Sequence, residues 1–475
     1  MDATLSGVVT VLAADSSQVL PARQMMAFTL GFHIILVPFG VAFTAIMLIA
    51  NFRGIRHDDR TAMLLARRWS HVAGVLFAVG AVSGTVLSFE LGLLWPGLMG
   101  RYGAAFGIPF AVEGLFFFLE AIFVAIYIYG WDRMRPWPHF WSGVPIVLSG
   151  VGGTSSVVAA NAWMNQPAGI TLENGRVVDV RPLEVFFNDA FWYEALHMLL
   201  AAYMVAGFII AGVYAVGMLR GHRDRLHRLG LAIPFTVAAI ASPLQVFVGD
   251  VAAREVYQNE PAKFAAIEVV TTTDTRVPEV LGGVLVDGEV RYGIEIPLVA
   301  SMLAGYSPDT EIQGLDAIPA DERPADRLIN TVHLAFQVMV GIGTALLGLA
   351  VWGGLAWWRR RRLPENRLFL LCTAVSGVAA VLALEAGWVV TEVGRQPWTV
   401  VGLLRTEQAA QTSGNLWPFF LATVALYTAI AFGTFYVLRL LRRRWREAEV
   451  TGEDDVGDEH EVPYGPSRAR ADAAP

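Results

Sequence analysis

The chain has 475 residues, of which 55% are hydrophobic and only 16% are charged, and its mean hydropathy is +0.50. Soluble domains carry about 25% charged residues, so this composition excludes an ordinary soluble protein and indicates a membrane protein. The net charge of -7 owes much to an acidic C-terminal tail, and the single cysteine, Cys372, excludes a disulfide framework and a cysteine-based metal site.

Nine apolar runs are long enough to cross a bilayer, which takes about 20 residues. No basic segment precedes the first run, because Arg23 is the first positive side chain, so we interpret it as a retained span. The sequence therefore predicts an all-α integral membrane protein with about nine transmembrane helices. The runs fall near residues 24–50, 70–95, 107–130, 139–163, 190–219, 229–250, 329–357, 366–391 and 415–438.

The placement of arginine predicts the orientation. The turns after the first, third, fifth and seventh runs, and the segment after the ninth, are rich in arginine, whereas the alternate turns hold few. Because cytoplasmic loops carry the excess of positive charge, we expect the N-terminus outside and the C-terminus in the cytoplasm. The predicted divisions are helices 1–6 in residues 1–250, an extracytoplasmic loop in 251–328, helices 7–9 in 329–446, and a disordered acidic tail in 447–475.

Two pairs of glutamates lie in apolar runs with the same spacing. Glu113 and Glu120 are in the third run, and Glu385 and Glu392 are in the eighth. Seven residues are close to two helical turns, so each pair is predicted to share one helix face. Carboxylates within a hydrophobic span mark ion paths, proton relays or cofactor ligands, so these pairs indicate chemistry inside the membrane.

Further candidate ligands share a depth with these glutamates. His33, His197 and Met339 each lie about ten residues from the predicted outer end of a run. Imidazole, thioether and carboxylate groups in one apolar layer suggest metal ligation, and heme iron accepts such axial ligands. The alternative for each residue alone is a packing or hydrogen-bonding role.

The long connection between the sixth and seventh runs contains P-A-K-F-A-A-I-E. Its Lys263 is the only lysine among 35 Lys and Arg residues, and it precedes Glu268 by five residues. Loops of this length without clear structure are usually functional or disordered. The alternative to a functional role is a solvated pair on a short amphipathic helix.

Several segments together carry a resemblance to a known family. The chain resembles subunit I of the cytochrome bd quinol oxidases over essentially all of its length except the tail. The order and spacing of the segments make accidental similarity improbable. They are F-H-I-I-L-V-P-F-G at His33, V-E-G-L-F-F-F-L-E-A-I-F followed by G-W-D-R, A-N-A-W-M-N-Q-P at 160–167, A-L-H-M at His197, K-F-A-A-I-E at 263–268, F-Q-V-M ending at Met339, and E-A-G-W-V-V-T-E-V-G-R-Q-P-W at 385–398.

The resemblance implies three hemes with particular ligands. His197 and Met339 match the axial pair of a low-spin heme b. His33, Glu113 and Glu392 match the axial positions of a high-spin heme b and of heme d, or a further heme b, and which residue serves which heme stays open.

It also implies roles for other residues. Glu120 matches a buried carboxylate of proton delivery to the oxygen site. Trp388 and Arg395 match neighbours of the hemes, and the arginine guanidinium suits heme propionates. Lys263 and Glu268 match the quinol-interacting positions of the outer loop, which is of the short type.

The implied activity is that of an electrogenic quinol:oxygen oxidoreductase. It would oxidise quinol at the outer face of a bacterial cytoplasmic membrane and reduce O₂ to water, generating proton motive force. The expected partners are subunit II of the oxidase, a possible small single-span accessory subunit, quinol, O₂ and the lipid bilayer, with no nucleic acid.

The sequence departs from the family pattern at two places. Gln337 stands two residues before Met339, where many members have arginine, so a fixed positive charge near the low-spin heme is missing. Some members have eight residues between the two glutamates of the third run, where this chain has seven.

Three other classes fit less well. A heme–copper oxidase is disfavoured because the nine histidines include no adjacent pair. A bis-histidine cytochrome b needs paired intramembrane histidines, and the third candidate, His333, lies six positions from Met339 off its helical face, which favours a structural role. A proton-coupled transporter would explain buried glutamates without heme.

Overall fold

The computed structural model describes residues 18–320, 322–411 and 414–451, without the side chains of 448–451. The chain forms two compact units, one ending at Tyr427 and one beginning at Thr428. The second unit, as far as it is described, is the continuation of the last helix. The predicted disordered tail lies mostly outside the described residues.

Nine helices in the described part of the chain are long and apolar enough to cross a membrane, which confirms the predicted fold. Several extend beyond the apolar runs, because helical backbone bonds continue into the polar turns. Helix α7, for example, ends nine residues after the predicted boundary at 250. The nine are α1 (Val19–His57), α2 (Arg60–Leu94), α3 (Pro96–Gly130), α4 (Pro136–Asn165), α6 (Phe191–Leu219), α7 (Arg225–Asn259), α10 (Asp326–Arg360), α11 (Arg367–Gly394) and α13 (Trp417–Thr451).

Asx side chains begin three of these helices. Asp59 accepts from the Ala62 amide at the start of α2, and Asp224 and Asn366 cap α7 and α11 in the same way. These caps satisfy backbone donors that the first helical turn leaves free. Asp59 also pairs with Arg53 and Arg225 at 2.9 and 2.8 Å, which joins three helix ends.

Helix α6 lies at the centre of the main core. It packs against α7 through Gly207, where a Cβ would lie 2.7 Å from the Pro234 carbonyl oxygen. It packs against α11 through Gly212, where a Cβ would lie 3.0 Å from the Thr373 carbonyl oxygen. Without a hydrophobic drive between helices in lipid, such small residues allow close backbone contact.

Helix α1 changes its winding beside the later site. A π-helical turn covers Phe39–Phe43 directly after Pro38, which has no backbone N–H to donate. The widened turn presents Gly40, whose carbonyl oxygen lies 3.2 Å from the position of a Cβ at Gly150 of α4. Single π-turns often mark functional positions in long helices.

The residues between α7 and α10, called here the connecting segment (260–325, without 321), are folded. Its described residues therefore have secondary structure of their own. The segment contains α8 (Pro261–Glu268), the antiparallel strands β3 (Glu279–Val286) and β4 (Glu289–Ile296), α9 (Val299–Gly305) and a 3₁₀ turn (Leu315–Ala317).

Asp287 and Gly288 form the turn between β3 and β4, with φ of 51° and 79°. Positive φ at both central residues is the geometry that an Asp-Gly pair favours in hairpins. The remaining elements are β1 (Ile170–Glu173), β2 (Arg176–Val180) and α5 (Pro182–Phe186) before α6, and β5 (Trp398–Val400), β6 (Leu404–Arg405) and α12 (Thr406–Ala409) before α13.

Candidate heme and quinol sites

A cavity of about 460 Å³ lies among helices α1, α2, α3, α4 and α11. Its volume is in the range of cofactor pockets, about 300–1,000 Å³. Its wall is mostly apolar and includes small residues of α2 and α4. Six of the predicted site residues line it: His33, Glu113, Glu120, Trp388, Glu392 and Arg395.

The two glutamate pairs differ in how many of their members line the cavity. Glu113 and Glu120 both line the cavity, which confirms that they share one face of α3. Of the second pair only Glu392 lines it. Glu385 lies against α1, where its Oε2 is 3.4 Å from the position of a Cβ at Gly31, and its Oε1 is buried without a donor among the described residues.

His33 is fixed by α2. Its Nδ1 lies 2.9 Å from the Ser83 hydroxyl, which itself donates to the Gly80 carbonyl oxygen at 3.1 Å. Ser83 therefore accepts from Nδ1–H, and Nε2 keeps its lone pair. This tautomer presents a nitrogen that can bind a metal. Gly84 leaves space beside the His33 ring, since a Cβ at this position would lie 3.0 Å from His33 Cε1.

Arg395 and Glu392 form an ion pair at the cavity wall, with 2.5 Å between Nη2 and Oε2. Asn161 donates to the other Glu392 oxygen at 2.5 Å, and Arg395 Nη1 donates to Asn165 at 3.3 Å. The Arg395 side chain is buried, and its Nε has no acceptor among the described residues. The wall thus offers a buried cationic donor to an anionic group.

His197 and Met339 lie outside this cavity wall, on α6 and α10. Gln245 Nε2 is 3.1 Å from His197 Nε2, and His197 Nδ1 is buried without a partner in the described part of the chain. Glycines face both residues. A Cβ at Gly249 would lie 3.3 Å from His197 Cε1, and one at Gly387 would lie 3.0 Å from the Met339 sulfur.

Glu120 lies between two cavities. Besides the large one it lines a cavity of about 20 Å³, together with Thr44, Ser70 and Tyr127. That volume is enough for one water. The Tyr127 hydroxyl is buried without a partner among the described residues, and Ser70 bonds back to the Arg67 carbonyl at 2.7 Å. The small cavity therefore leads from Glu120 toward the arginine-rich ends of α2 and α3.

Lys263 and Glu268 lie on helix α8 but are not paired with each other. Lys263 forms a 3.0 Å ion pair with Glu260, and Glu268 lies at the other end of the helix beside Glu279. Lys263 and Glu268 are only 6% and 5% exposed. The alternative of a solvated surface pair is therefore wrong, because α8 is enclosed by α10, α11 and the β3–β4 hairpin.

Comparisons with known proteins identify the family. The family model "Cytochrome bd terminal oxidase subunit I" matches residues 21–445. The chain belongs to this family. It is 33% identical to the putative cytochrome bd menaquinol oxidase subunit I of Bacillus subtilis, over 88% of this chain and 95% of that protein. It is 28% identical to the cytochrome bd ubiquinol oxidase subunit 1 of the same organism, over 94% of this chain and 96% of that protein.

A solved structure agrees with this assignment. The bd oxidase from Geobacillus thermodenitrificans superimposes with a TM-score of 0.84 at 34% identity, covering 90% of this chain and 98% of that one. The cytochrome bd family, and nine apolar helices in the described residues, make this chain a multi-pass protein of the bacterial cytoplasmic membrane.

Heme is the cofactor that this family implies, and the residues fit it. The free lone pair of His33 is a group that a heme iron would complete, and the unpartnered Nε of Arg395 is one that a propionate would complete. Gly84, Gly249 and Gly387 leave space beside His33, His197 and Met339 that any Cβ would narrow.

Sequence reasoning missed a polar chain between the connecting segment and the cavity. Glu194, in the first turn of α6, accepts from Asn165 at 2.7 Å, and its carboxyl interacts with the charges of Lys263, Glu260 and Arg395. The available signal was the spacing of Asn161 and Asn165, four residues apart in A-N-A-W-M-N, which puts both amides on one face of α4.

Proposed function

We propose that this chain is the heme-carrying subunit of a terminal respiratory oxidase that oxidises quinol and reduces O₂ to water. The observation that carries the proposal is the cavity that collects His33, Glu113, Glu120, Glu392 and Arg395 from α1, α3 and the end of α11. Relatives named for menaquinol and for ubiquinol oxidase support quinol as the donor and leave its type open.

Three hemes would be held by the predicted ligands. His197 and Met339 would hold a low-spin heme b, since a strong ligand on each face of an iron suits electron transfer. His33, Glu113 and Glu392 would hold a high-spin heme b and a heme d or further heme b. When bound, heme supplies the iron chemistry that takes electrons from quinol and passes them to oxygen.

The remaining cavity residues would hold and neutralise the cofactors. Arg395 has one buried N–H free for a propionate while its Nη2 fixes Glu392. Trp388 lines the same wall and supplies a flat apolar surface. A carboxylate held by both Arg395 and Asn161 keeps its orientation, which a ligand position requires.

Glu120 would deliver protons to the oxygen site. It lies between the large cavity and the small one, and the small one points toward the arginine-rich helix ends. The positive-inside rule assigns these ends to the cytoplasm, so protons would approach from that side. A carboxyl group that lines both cavities can accept a proton on one side and release it on the other.

Quinol would react at the connecting segment, near Lys263 and Glu268, on the opposite side of the membrane. The N-terminus and this segment would then be extracytoplasmic, the C-terminus cytoplasmic, and residues 251–328 a quinol-binding loop of the short type. Protons released outside and taken up inside separate charge, which stores about 2.3 kcal/mol per elementary charge per 100 mV. Subunit II and a small single-span accessory subunit would complete the enzyme.

The experiment is a spectrum and an oxygen-uptake assay of the complex purified after co-expression with subunit II. Pyridine hemochrome analysis should give heme b in at least two copies per chain, with heme d or further heme b. Quinol should drive oxygen uptake. A purified complex without heme absorbance would contradict the proposal and favour a proton-coupled transporter.

A further inference from the structure

Two buried carboxyl groups meet where the connecting segment touches α10. Glu268, at the end of α8, lies within hydrogen-bonding reach of Glu279, the first residue of β3. The two side chains are 5% and 8% exposed, and the Oε2 atom of each has no donor among the described residues. Two carboxylates only accept hydrogen bonds, so such a contact requires one shared proton.

One face of α10 holds this pair in place. Asn330, His333 and Gln337, spaced three and four residues apart, all bond to strand β3. Asn330 exchanges two hydrogen bonds with the Leu285 backbone, at 2.6 and 2.9 Å. Gln337 Nε2 donates to Glu279 Oε1 at 3.1 Å and to the Val280 carbonyl at 3.2 Å. Gln337 therefore holds the Oε1 atom of Glu279, whereas the Oε2 atom has no donor among the described residues.

His333 joins the two parts that carry the carboxyl groups. Its Nδ1 is 2.7 Å from the Ile267 carbonyl oxygen, next to Glu268, and its Nε2 is 2.7 Å from the Gly282 carbonyl oxygen of β3. The ring is fully buried. Both ring nitrogens are thus used within the protein, which agrees with the structural role expected for His333 and sets the distance between α8 and β3.

We propose that Glu279 is a further residue of the quinol site, which shares one proton with Glu268 and accepts protons that quinol oxidation releases. The proposal rests on the proposed function, in which Glu268 meets quinol. Glu279 adds a second carboxyl group, which can share a single proton with Glu268. Its own unpartnered oxygen, Oε2, can accept another proton. Gln337 is uncharged, so the pair has no fixed positive charge from the side chain that holds Glu279 Oε1.

The proton balance is simple. Quinol would lose two electrons, for which bound heme would be the acceptor, and two protons, as its two O–H bonds break. The pair in its singly protonated state takes one of these protons on a free Oε2 and becomes doubly protonated. It then releases a proton to the outer aqueous phase and can accept the second. Burial raises the pKa of Glu268 well above its usual range, and the adjacent Glu279 carboxyl raises it further.

The test compares Glu279→Gln with Glu268→Gln and with Glu295→Gln in the purified complex. Glutamine at 279 still accepts from Gln337 but cannot share an acid proton. Glu295 is the matched control, an exposed glutamate on the paired strand β4. We expect Glu279→Gln to lose about 10²-fold in quinol-dependent oxygen uptake, the usual size of a lost acid–base group. Heme spectra and oxidation of artificial donors should stay normal, and Glu279→Asp should recover part of the rate.

An infrared difference spectrum separates proton sharing from a structural role. In the unmodified complex, reduction with quinol should perturb the C=O band of a protonated carboxylic acid, and both Gln variants should lose this band while Glu295→Gln keeps it. Normal quinol oxidation in Glu279→Gln, with Glu268→Gln impaired, would overturn the inference and leave the proposed function intact. An unmodified complex that oxidises no quinol would instead overturn the proposed function.

Discussion

The candidate heme sites and the connecting segment differ in the polar groups that they leave without a partner among the described residues. Arg395 keeps a buried donor, and His33 keeps a lone pair. In the connecting segment, Lys263 is paired with Glu260, and the unpartnered atoms include carboxyl oxygens of Glu268 and Glu279. A donor and a lone pair suit a heme, whereas buried carboxyl oxygens suit proton transfer. A substitution at the heme sites should therefore change spectra, and one in the connecting segment should change quinol turnover.

The largest expected effect is that of Met339→Leu, which tests a candidate heme ligand. The volumes of the two side chains are similar, so the fold should persist at a cost below about 1.5 kcal/mol. Leucine has no sulfur to bind iron, so the low-spin signal should be lost or converted and quinol oxidation should stop. The measurement is the reduced-minus-oxidised spectrum together with quinol-dependent oxygen uptake.

The control for that variant is Met218→Leu, a buried methionine of α6 that lines neither of the two cavities described above. It should leave the low-spin band and the activity as they are. An unchanged low-spin band in Met339→Leu would remove Met339 from the ligand set.

Glu120→Gln should cost most of the oxygen-reduction turnover while the heme spectrum stays near normal. Glutamine keeps the shape and the hydrogen-bonding capacity at the junction of the two cavities but cannot release a proton. Glu113→Ala should instead disturb heme occupancy or the heme spectrum, since Glu113 lines only the large cavity. A rapid-mixing reaction with oxygen that follows proton uptake distinguishes the two roles.

The matched control is Glu90→Gln on α2. Glu90 is also a buried carboxyl, 2% exposed, but it bonds to Thr29 at 2.6 Å and does not line either cavity. Normal proton uptake and water formation in Glu120→Gln would reduce Glu120 to a packing or hydrogen-bonding residue.

The sequence was informative where chemistry and periodicity coincide. Nine spans follow from apolar length, and the shared face of Glu113 and Glu120 follows from their seven-residue spacing. The same spacing of Glu385 and Glu392 did not reveal that Glu385 lies outside the cavity wall. Its position depends on how α11 packs against α1. Nor could the spacing predict the contact of Glu268 with Glu279, which α10 creates by holding a hairpin against α8.

Lys263→Ala tests the connecting segment. It should abolish quinol oxidation while artificial donors are still oxidised. It also leaves Glu260 buried without its partner, and breaking a buried ion pair costs about 3–5 kcal/mol. The double variant Lys263→Ala/Glu260→Gln should therefore regain thermal stability without regaining quinol oxidation.

A suitable comparison is Arg276→Asn, which breaks the exposed pair of Arg276 with Asp309 in the same segment. Arg276 has φ of 60°, a conformation that asparagine tolerates, and an exposed pair contributes about 1 kcal/mol or less. Recovery of quinol oxidation in the double variant would show that Lys263 is needed only as the partner of Glu260.

The smallest expected effect is a change in the pH dependence of stability. Burial, with Glu279 beside it, raises the pKa of Glu268 above its usual range. Above the ordinary glutamate value of about 4.3, the folded state therefore binds more protons than the unfolded state. Stability must then fall as pH rises from that value through the raised pKa. In Glu268→Gln this contribution is absent. The unfolding temperature of the variant should therefore rise relative to that of the unmodified complex as pH increases. Glu295→Gln, exposed on β4, should follow the unmodified complex, and equal pH slopes in all three proteins would show that Glu268 is ionised in the fold.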